Sequence, residues 1–281
     1  MERRAVVVLL SAVAAAQSAN DVTPAFDVAS VIPNRSGGQA GGIRPIATGQ
    51  LTAVNVTLRA LILRAYALHD SQLSGGAAWL DSDRFDVLAK AARPPQGGTS
   101  DVLVMLRQLL ADRFKLRTHT EIRQLPAYVL RLARADGRTG TQLRPSTVDC
   151  AANPAPPTPN TAPTNADGWP PCGLALTRTL VAGGRSRSDA RHSAVTMREF
   201  ALTLQTAADR PVVDQTGLAA VFDIELAYLR DGAAVAPDSL VPPDAPDLFT
   251  ALREQLGLRL ESQTIPVDAL VIDAVEAPTT N

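Results

Sequence analysis

The chain has 281 residues, of which 46% are hydrophobic and 20% are charged, a balance typical of a globular protein with room for about two domains. Its 27 basic and 28 acidic residues are well mixed and give a net charge of -1. The sequence therefore lacks the basic field that dominates nucleic-acid affinity, and nucleic acid is not expected as a partner.

The first 19 residues have the features of a secretory signal peptide. Arg3 and Arg4 precede an apolar run that ends at Ala16, and small residues suited to cleavage follow it. The run is shorter than the roughly 20 residues that a helix needs to cross the hydrocarbon core, and no later segment is long and apolar enough to span a membrane. We expect a cleaved, exported protein that is periplasmic or extracellular.

The first half of the mature chain, residues 20–134, is predicted to open with a strand at about Gln50 to Val56 and a helix. In NVTLRALILRAYALHD the apolar residues recur at helical spacing behind Thr57, which is placed to cap the helix. A glycine-containing connection leads to RFDVLAK, where Phe85 and Val87 alternate with polar residues. This alternation predicts a half-buried strand.

The rest of this half is predicted to be a second helix and a closing hairpin. A Pro-rich break, RPPQGGTSD, precedes the amphipathic pattern of LRQLLADRFKLRTH, which starts at about Leu106. The segment LPAYVLRLA follows. Pro126 is expected at the start of its terminal strand, because proline lacks the N–H group that a central ladder requires.

A cluster of three carboxylates is the strongest candidate for chemistry. Asp81, Asp83 and Asp86 offer oxygen ligands for Ca²⁺ or an acid and a base for hydrolysis. Asp86 stands where a calcium loop of the helix-loop-helix kind needs glycine, so turn residues entering a strand are the favoured interpretation. Trp79 is either an exposed platform for a sugar or a peptide, or a core residue, and core is favoured because large aromatic residues usually pack.

Residues 135–185 are predicted to form a linker, since they are rich in Pro, Thr, Asn and Gly and show no apolar periodicity. Cys150 and Cys172 are the only cysteines, and both lie here, so a disulfide is expected in an oxidising compartment. A zinc site is not expected, because no histidine lies at ligand spacing from a cysteine. Trp169 also lies in this stretch and, if exposed, is the better contact candidate.

The second half, residues 186–281, is predicted to repeat the same order. Its leading strand, at about Ser188 to Val195, contains SRSDARHS, which superficially offers a serine, a histidine and a carboxylate. A solvated edge strand is favoured, because catalytic triads depend on geometry and not on adjacency. The helix in MREFALTLQTAA is predicted to start behind Thr196, with Glu199 completing a capping box.

The two halves share short sequences in the same order. Val-Thr-apolar-Arg occurs at 56–59 and 195–198, and Phe-Asp-apolar occurs at 85–87 and 222–224. IPVDALVIDAV, with Pro266, also corresponds to LPAYVLRLA. These matches predict an α+β fold of two tandem strand-helix-strand-helix-hairpin repeats, each with two helices packed on small sheets.

Two family resemblances follow from these segments. Each half, and most clearly TMREFALTLQTAADRPVVDQTGLAAVFDIEL, resembles the short N-terminal domain of secretins and TonB-dependent transporters, although Ala208-Asp209-Arg210 stands where glycine is common there. FDVASVIPN, LADRFKL, RPVVDQTGL and LFTALREQLGLRLESQ together resemble a soil-associated family of exported bacterial proteins of unknown function. That resemblance implies no reaction, cofactor, metal or catalytic residue.

Two classes of function therefore remain open. The first is a cell-envelope binding or interaction module whose partner is an envelope protein or a small ligand, with the regulator of a partner peptidase as a variant. The second is an envelope hydrolase that acts on peptide or glycan through Asp81 to Asp86. We expect a monomer or a weak oligomer.

Overall fold

The computed structural model describes residues 24–38, 41–46, 49–93, 99–148, 150, 164, 167–170, 172–173, 175–182, 185–230 and 246–278. The predicted signal peptide, most of the chain between the two cysteines and the Pro-rich stretch 231–245 lie outside these residues. Within them the protein has a mixed α+β fold with three four-stranded sheets, so the predicted class is confirmed.

Twelve strands and five α-helices make up the described part of the chain. The strands are β1 (Val28–Pro33), β2 (Gly42–Ile46), β3 (Gln50–Thr57), β4 (Leu73–Gly75), β5 (Arg84–Lys90), β6 (Arg117–Leu132), β7 (Leu143–Pro145), β8 (Ala175–Ala182), β9 (Arg185–Thr196), β10 (Val212–Asp214), β11 (Val221–Leu229) and β12 (Leu258–Ala274). The helices are α1 (Leu58–Tyr66), α2 (Trp79–Ser82), α3 (Thr99–Phe114), α4 (Met197–Ala208) and α5 (Leu248–Ala251), which continues as a π-helical turn at Leu252–Leu256. The strand orders are β1-β5-β3-β2, β10-β6-β12-β4 and β7-β11-β9-β8.

The helices α1 and α4 begin and end in the same way. Thr57 Oγ1 accepts a hydrogen bond from the N–H of Ala60, and Thr196 and Glu199 form the predicted capping box. Both helices end at a residue in the left-handed region, Ala67 with φ 53° and Asp209 with φ 52°. Local sequence therefore sets both ends of these helices, and their apolar faces are buried as predicted.

The strands β6 and β12 form one long antiparallel ladder. The predicted hairpin at the end of each half is therefore wrong. β6 has no glycine, asparagine or aspartate with which to make a tight turn. Pro126 and Pro266 do not start new strands but lie inside the ladder, opposite Thr264 and Gln124.

Each long strand also reaches the core of the other half. At one end β10 pairs in parallel with β6, and at the other end β4 pairs in parallel with β12. Leu270 and Ile272 of β12 belong to the core around α1 and α3, while Leu130 of β6 belongs to the core around α4. The central sheet therefore connects two hydrophobic cores.

The stretch predicted as a linker contains two strands, β7 and β8. Leu143 of β7 is buried in the second core, where a three-residue strand has no periodic pattern for a sequence to reveal. The predicted disulfide is present, with the Cα atoms of Cys150 and Cys172 separated by 5.4 Å. It connects an exposed residue to a buried one.

Gly257 allows the last helical turn to approach residues 139 and 140. Its φ is +67°, and a Cβ atom there would lie 2.7 Å from the backbone nitrogen of Gly140. We predict that Gly257→Ala lowers the free energy of unfolding by about 2–4 kcal/mol, from left-handed strain plus overpacking. Gly217 has φ +73° but open space around it, so Gly217→Ala should cost only about 1 kcal/mol. Urea unfolding followed by circular dichroism measures both values, and equal losses would contradict the role given to close packing.

Candidate binding surface

The three carboxylates of the predicted cluster contact different partners. Asp81 lies on α2, with one carboxylate oxygen 3.6 Å from Arg59 Nε. Asp83 follows α2 and accepts a hydrogen bond from the hydroxyl of Ser82 at 3.1 Å. Asp86 lies on β5 and accepts two hydrogen bonds of 2.8 Å at one oxygen. The cluster is thus divided between a helix surface and a strand.

The hydrogen-bond donors to Asp86 indicate a structural role for this carboxylate. In β3, Val54 and Asn55 together lie opposite Asp86, which is a β-bulge, and Asn55 has a positive φ of 52°. The N–H of Asn55 donates to Asp86 Oδ1, and the side-chain amide of Asn34 donates to the same oxygen. The carboxylate therefore holds the bulge in place.

The second half contains the same arrangement. In β9, Ser193 and Ala194 lie opposite Asp223, and Ala194 has a φ of 50°. Its N–H donates to Asp223 Oδ1 at 2.8 Å. The phenylalanine before each aspartate is buried, because alternation along a strand turns successive side chains to opposite faces. The recurring Phe-Asp sequence therefore has a structural cause.

These contacts make Asp86 a poor proton acceptor near neutral pH. The hydrogen bonds from Asn34 and from the N–H of Asn55 lower the pKa of Asp86 below its ordinary value. A general base is most effective when its pKa lies close to the working pH, which requires a raised value for a carboxylate. The stabilisation from Asp86 is present above the ordinary pKa of an aspartate and is lost as the pH falls through the lowered pKa.

Trp79 is half-buried and packs against the first core. Its ring meets Phe85 edge-on with a centroid distance of 6.4 Å, and Phe85 meets Phe114 in the same way at 5.2 Å. The tryptophan thus covers one end of an aromatic row. This placement agrees with the favoured core interpretation.

Trp169 lies against the outer face of the β7-β11-β9-β8 sheet. The guanidinium carbon of Arg191 is 5.6 Å from the centre of its ring. The same guanidinium donates a hydrogen bond of 2.9 Å to the carbonyl of Asp167 and lies 3.7 Å from a carboxylate oxygen of Glu225. Arg191 therefore connects the Trp169 segment to this sheet.

A cavity of about 390 Å³ lies on this outer face. Alternation along β9 directs Ser188 and His192 to the buried face and Arg187, Asp189 and Arg191 to the outer face. The serine and the histidine of SRSDARHS are thus separated from its aspartate, and they form no triad. The side chains that line the cavity and carry charge are Arg178, Arg187, Asp189, Arg191 and Glu225.

The charges around this cavity are unevenly paired. Arg187 Nε lies 2.7 Å from Asp189 Oδ1, and Arg191 is paired with Glu225. Arg178 is exposed and makes no ion pair with any described residue. This surface was not among the predicted sites, although the alternation of charges at 187, 189 and 191 is a signal for it in the sequence.

His192 is buried without a hydrogen bond at Nδ1 to any described residue. Its ring meets Phe200 edge-on at 5.3 Å. Burial lowers the pKa of His192 to about 4. The neutral ring thus acts as an apolar group in the second core.

Residues 59–275 match the family model described as protein of unknown function, DUF3738. The chain belongs to the DUF3738 family. Comparisons with curated proteins and with solved structures found no match to this DUF3738 chain. In the part of the chain that the structure describes, no helix is long and apolar enough to cross a membrane, and no group of three or more His, Cys, Asp or Glu side chains is placed to hold a metal ion.

We predict that Asp86→Ala lowers the free energy of unfolding of the DUF3738 chain by about 1–3 kcal/mol, because it leaves the N–H of the buried Asn55 without an acceptor. Asp83→Ala is the matched control. Its carboxylate is exposed, so the change should stay within about 0.5 kcal/mol. Urea unfolding at pH 7 compares the two variants. A larger loss for Asp83→Ala would contradict the bulge-holding role of Asp86.

Burial of His192 makes the stability of the chain depend on pH. The pKa of His192 is lowered by folding, so the unfolded chain binds the proton more readily and stability falls as the pH drops from about 6.5 towards about 4. Between pH 7 and pH 5 this loss amounts to about 2 kcal/mol, and His192→Leu should remove it. Urea unfolding of both proteins at the two pH values tests this.

His119 serves as a control of opposite sign. Hydrogen bonds with Glu121 and Asp273 raise the pKa of His119, so its contribution to stability is present at low pH and is lost as the pH rises through the raised pKa. His119→Gln should therefore enlarge the loss between pH 7 and pH 5. An unchanged loss in His192→Leu would show that the buried histidine does not cause the pH dependence.

Proposed function

We propose that the protein is an exported binding module of the cell envelope, built from two copies of one α+β unit, which takes up an extended segment of a partner along the free edge of β8. The observation that carries this proposal is the length and composition of that edge. The export step rests on the N-terminal sequence, residues 1–19, and the identity of the partner as an envelope protein follows from export.

Repetition of one unit is supported by matching details in the two halves. The bulges at Asn55 and Ala194 are each held by an aspartate on the facing strand. In the central ladder Leu125 lies opposite Ile265. The next residue of each strand is a proline, Pro126 opposite Thr264 and Pro266 opposite Gln124, so the prolines are placed symmetrically about this pair. Two copies that exchange their last strands would produce this symmetry.

The edge of β8 differs from the other edges in the described residues. Each of the three sheets has two edge strands. β4, β7 and β10 are only three residues long, and β1 and β2 each contain a proline. Short length and proline are features that protect an edge from pairing. Of these six edge strands, β8 is the longest, with eight residues and no proline or glycine, so it is the one best suited to accept another strand.

On the opposite side of the same sheet, a side chain occupies the backbone groups at the edge of β11. Beyond β7, the edge of β11 is occupied by the side-chain amide of Gln255, which donates to the carbonyl of Ala227 and accepts from its N–H. Among the described residues, β8 pairs only with β9. Its outward N–H and carbonyl groups therefore have no strand partner in the described part of the chain and can make main-chain hydrogen bonds to an added strand.

The hydrolase hypothesis has less support. Asp86 is engaged in holding a bulge and has a lowered pKa, while Asp81 and Asp83 have separate partners. A regulator of a partner peptidase fits the same binding edge and differs from the main proposal only in what is bound.

Two neighbouring proline variants test the use of this edge. In an antiparallel pair the N–H groups of successive residues point alternately toward the neighbouring strand and away from it. Of Thr179→Pro and Leu180→Pro, one therefore loses a bond to β9, at about 1–2 kcal/mol, and the other loses only an outward N–H. Peptides that bind the chain from Asn20 onward are first selected from a random displayed library. We predict that the proline variant whose melting temperature is unchanged no longer binds these peptides.

The selected peptides should also shift the amide resonances of β8 in NMR spectra of the labelled protein. Retention of full affinity by the stable proline variant would rule out the β8 edge as the binding site. So would selected peptides whose shifts map to another sheet.

A further inference from the structure

We infer that the partner segment has an acidic residue flanked at two-residue spacing by apolar residues, an apolar-x-acidic-x-apolar strand. This inference rests on the proposed function and specifies the ligand of the same edge. It follows from the side chains that β8 presents on its outer face.

Three side chains of β8 share the outer face of the sheet. Leu176, Arg178 and Leu180 lie opposite Arg191, Asp189 and Arg187 of β9, respectively, and directly opposite residues lie on one face. Leu180 is 53% exposed, and Arg178 is also exposed. A strand added to β8 would place its own alternate side chains against this apolar, cationic, apolar row.

Arg178 is the arginine best placed to receive a carboxylate from outside. Asp189, which faces it across the ladder, already pairs with Arg187 at 2.7 Å. The outer-face cavity has three arginines and two carboxylates, so one positive charge is in excess. Because cross-strand pairs of opposite charge stabilise a sheet and like charges destabilise it, an acidic residue is favoured opposite Arg178.

A second copy of this chain is a poorer occupant of the edge. The strand ALTRTLVA contains no aspartate or glutamate, so no register of β8 against another β8 gives Arg178 an acidic partner. The cavity beside Leu176 and Arg178 also leaves space on the outer face for a glutamate-sized side chain. Charge complementarity therefore favours an acidic strand from a different protein.

Three capped heptapeptides test this inference directly. They are TLTETLT, TLTQTLT and TLTKTLT, whose pattern is the same in both chain directions, so that each can pair in parallel or antiparallel fashion. Affinities for the full chain from Asn20 onward are measured by NMR titration of the β8 amides. The glutamate peptide should bind about fivefold or more tightly than the lysine peptide, with glutamine between them. Added salt should reduce the difference, because exposed charges are screened.

Charge reversal at the strand gives the decisive comparison. Arg178→Glu should reverse the order, so that the lysine peptide binds most tightly. Arg144→Glu makes the same change on β7, the opposite edge strand of this sheet, and should leave the order unchanged.

Equal affinities for all three peptides at β8, or an unchanged order in Arg178→Glu, would overturn the acidic-strand inference while leaving strand addition itself intact. If none of the three peptides shifts the β8 amides, this ligand class is wrong. The proposed function is judged separately, by the selected peptides and the proline pair.

Discussion

The antiparallel ladder between β6 and β12 is the interaction on which the rest of the structure depends. β6 carries Leu130 into the core around α4, and β12 carries Leu270 and Ile272 into the core around α1 and α3. Neither core is complete without a strand from the other half. β6 and β12 both belong to the central sheet, so the edges of the two outer sheets are formed by other strands. The longest of these edge strands is β8.

The bulges in β3 and β9 give the recurring Phe-Asp sequence a structural explanation. A bulged residue leaves its N–H without a ladder partner, and a buried unpaired N–H costs about 1–3 kcal/mol. Asp86 and Asp223 each accept such an N–H, from Asn55 and Ala194. Backbone geometry therefore explains Asp86, the one member of the candidate catalytic cluster that lies on a strand.

Features that depend on local interactions could be predicted from the sequence, whereas features that depend on contacts between distant residues could not. The capping box at Thr196 and Glu199 and the pairing of two isolated cysteines need only neighbouring residues or simple counting. The β6-β12 ladder joins residues far apart in the chain, so the sequence around Pro126 and Pro266 predicts strand starts and a hairpin in each half and gives no sign of the ladder. The outer-face surface was missed because it is assembled from β8, β9 and β11, and no single segment contains it.

Residue-resolved hydrogen exchange of the free protein tests the account most directly. The buried amides of Val129 and Leu130, where β6 lies between β10 and β12, should exchange only through global unfolding, whereas alternate amides of β8, those directed away from β9, should exchange at nearly unprotected rates. That result would confirm a protected central sheet and an open edge at β8. Uniform protection of every β8 amide, equal to that of β6, would show that the edge is already covered and would contradict its role as a binding site.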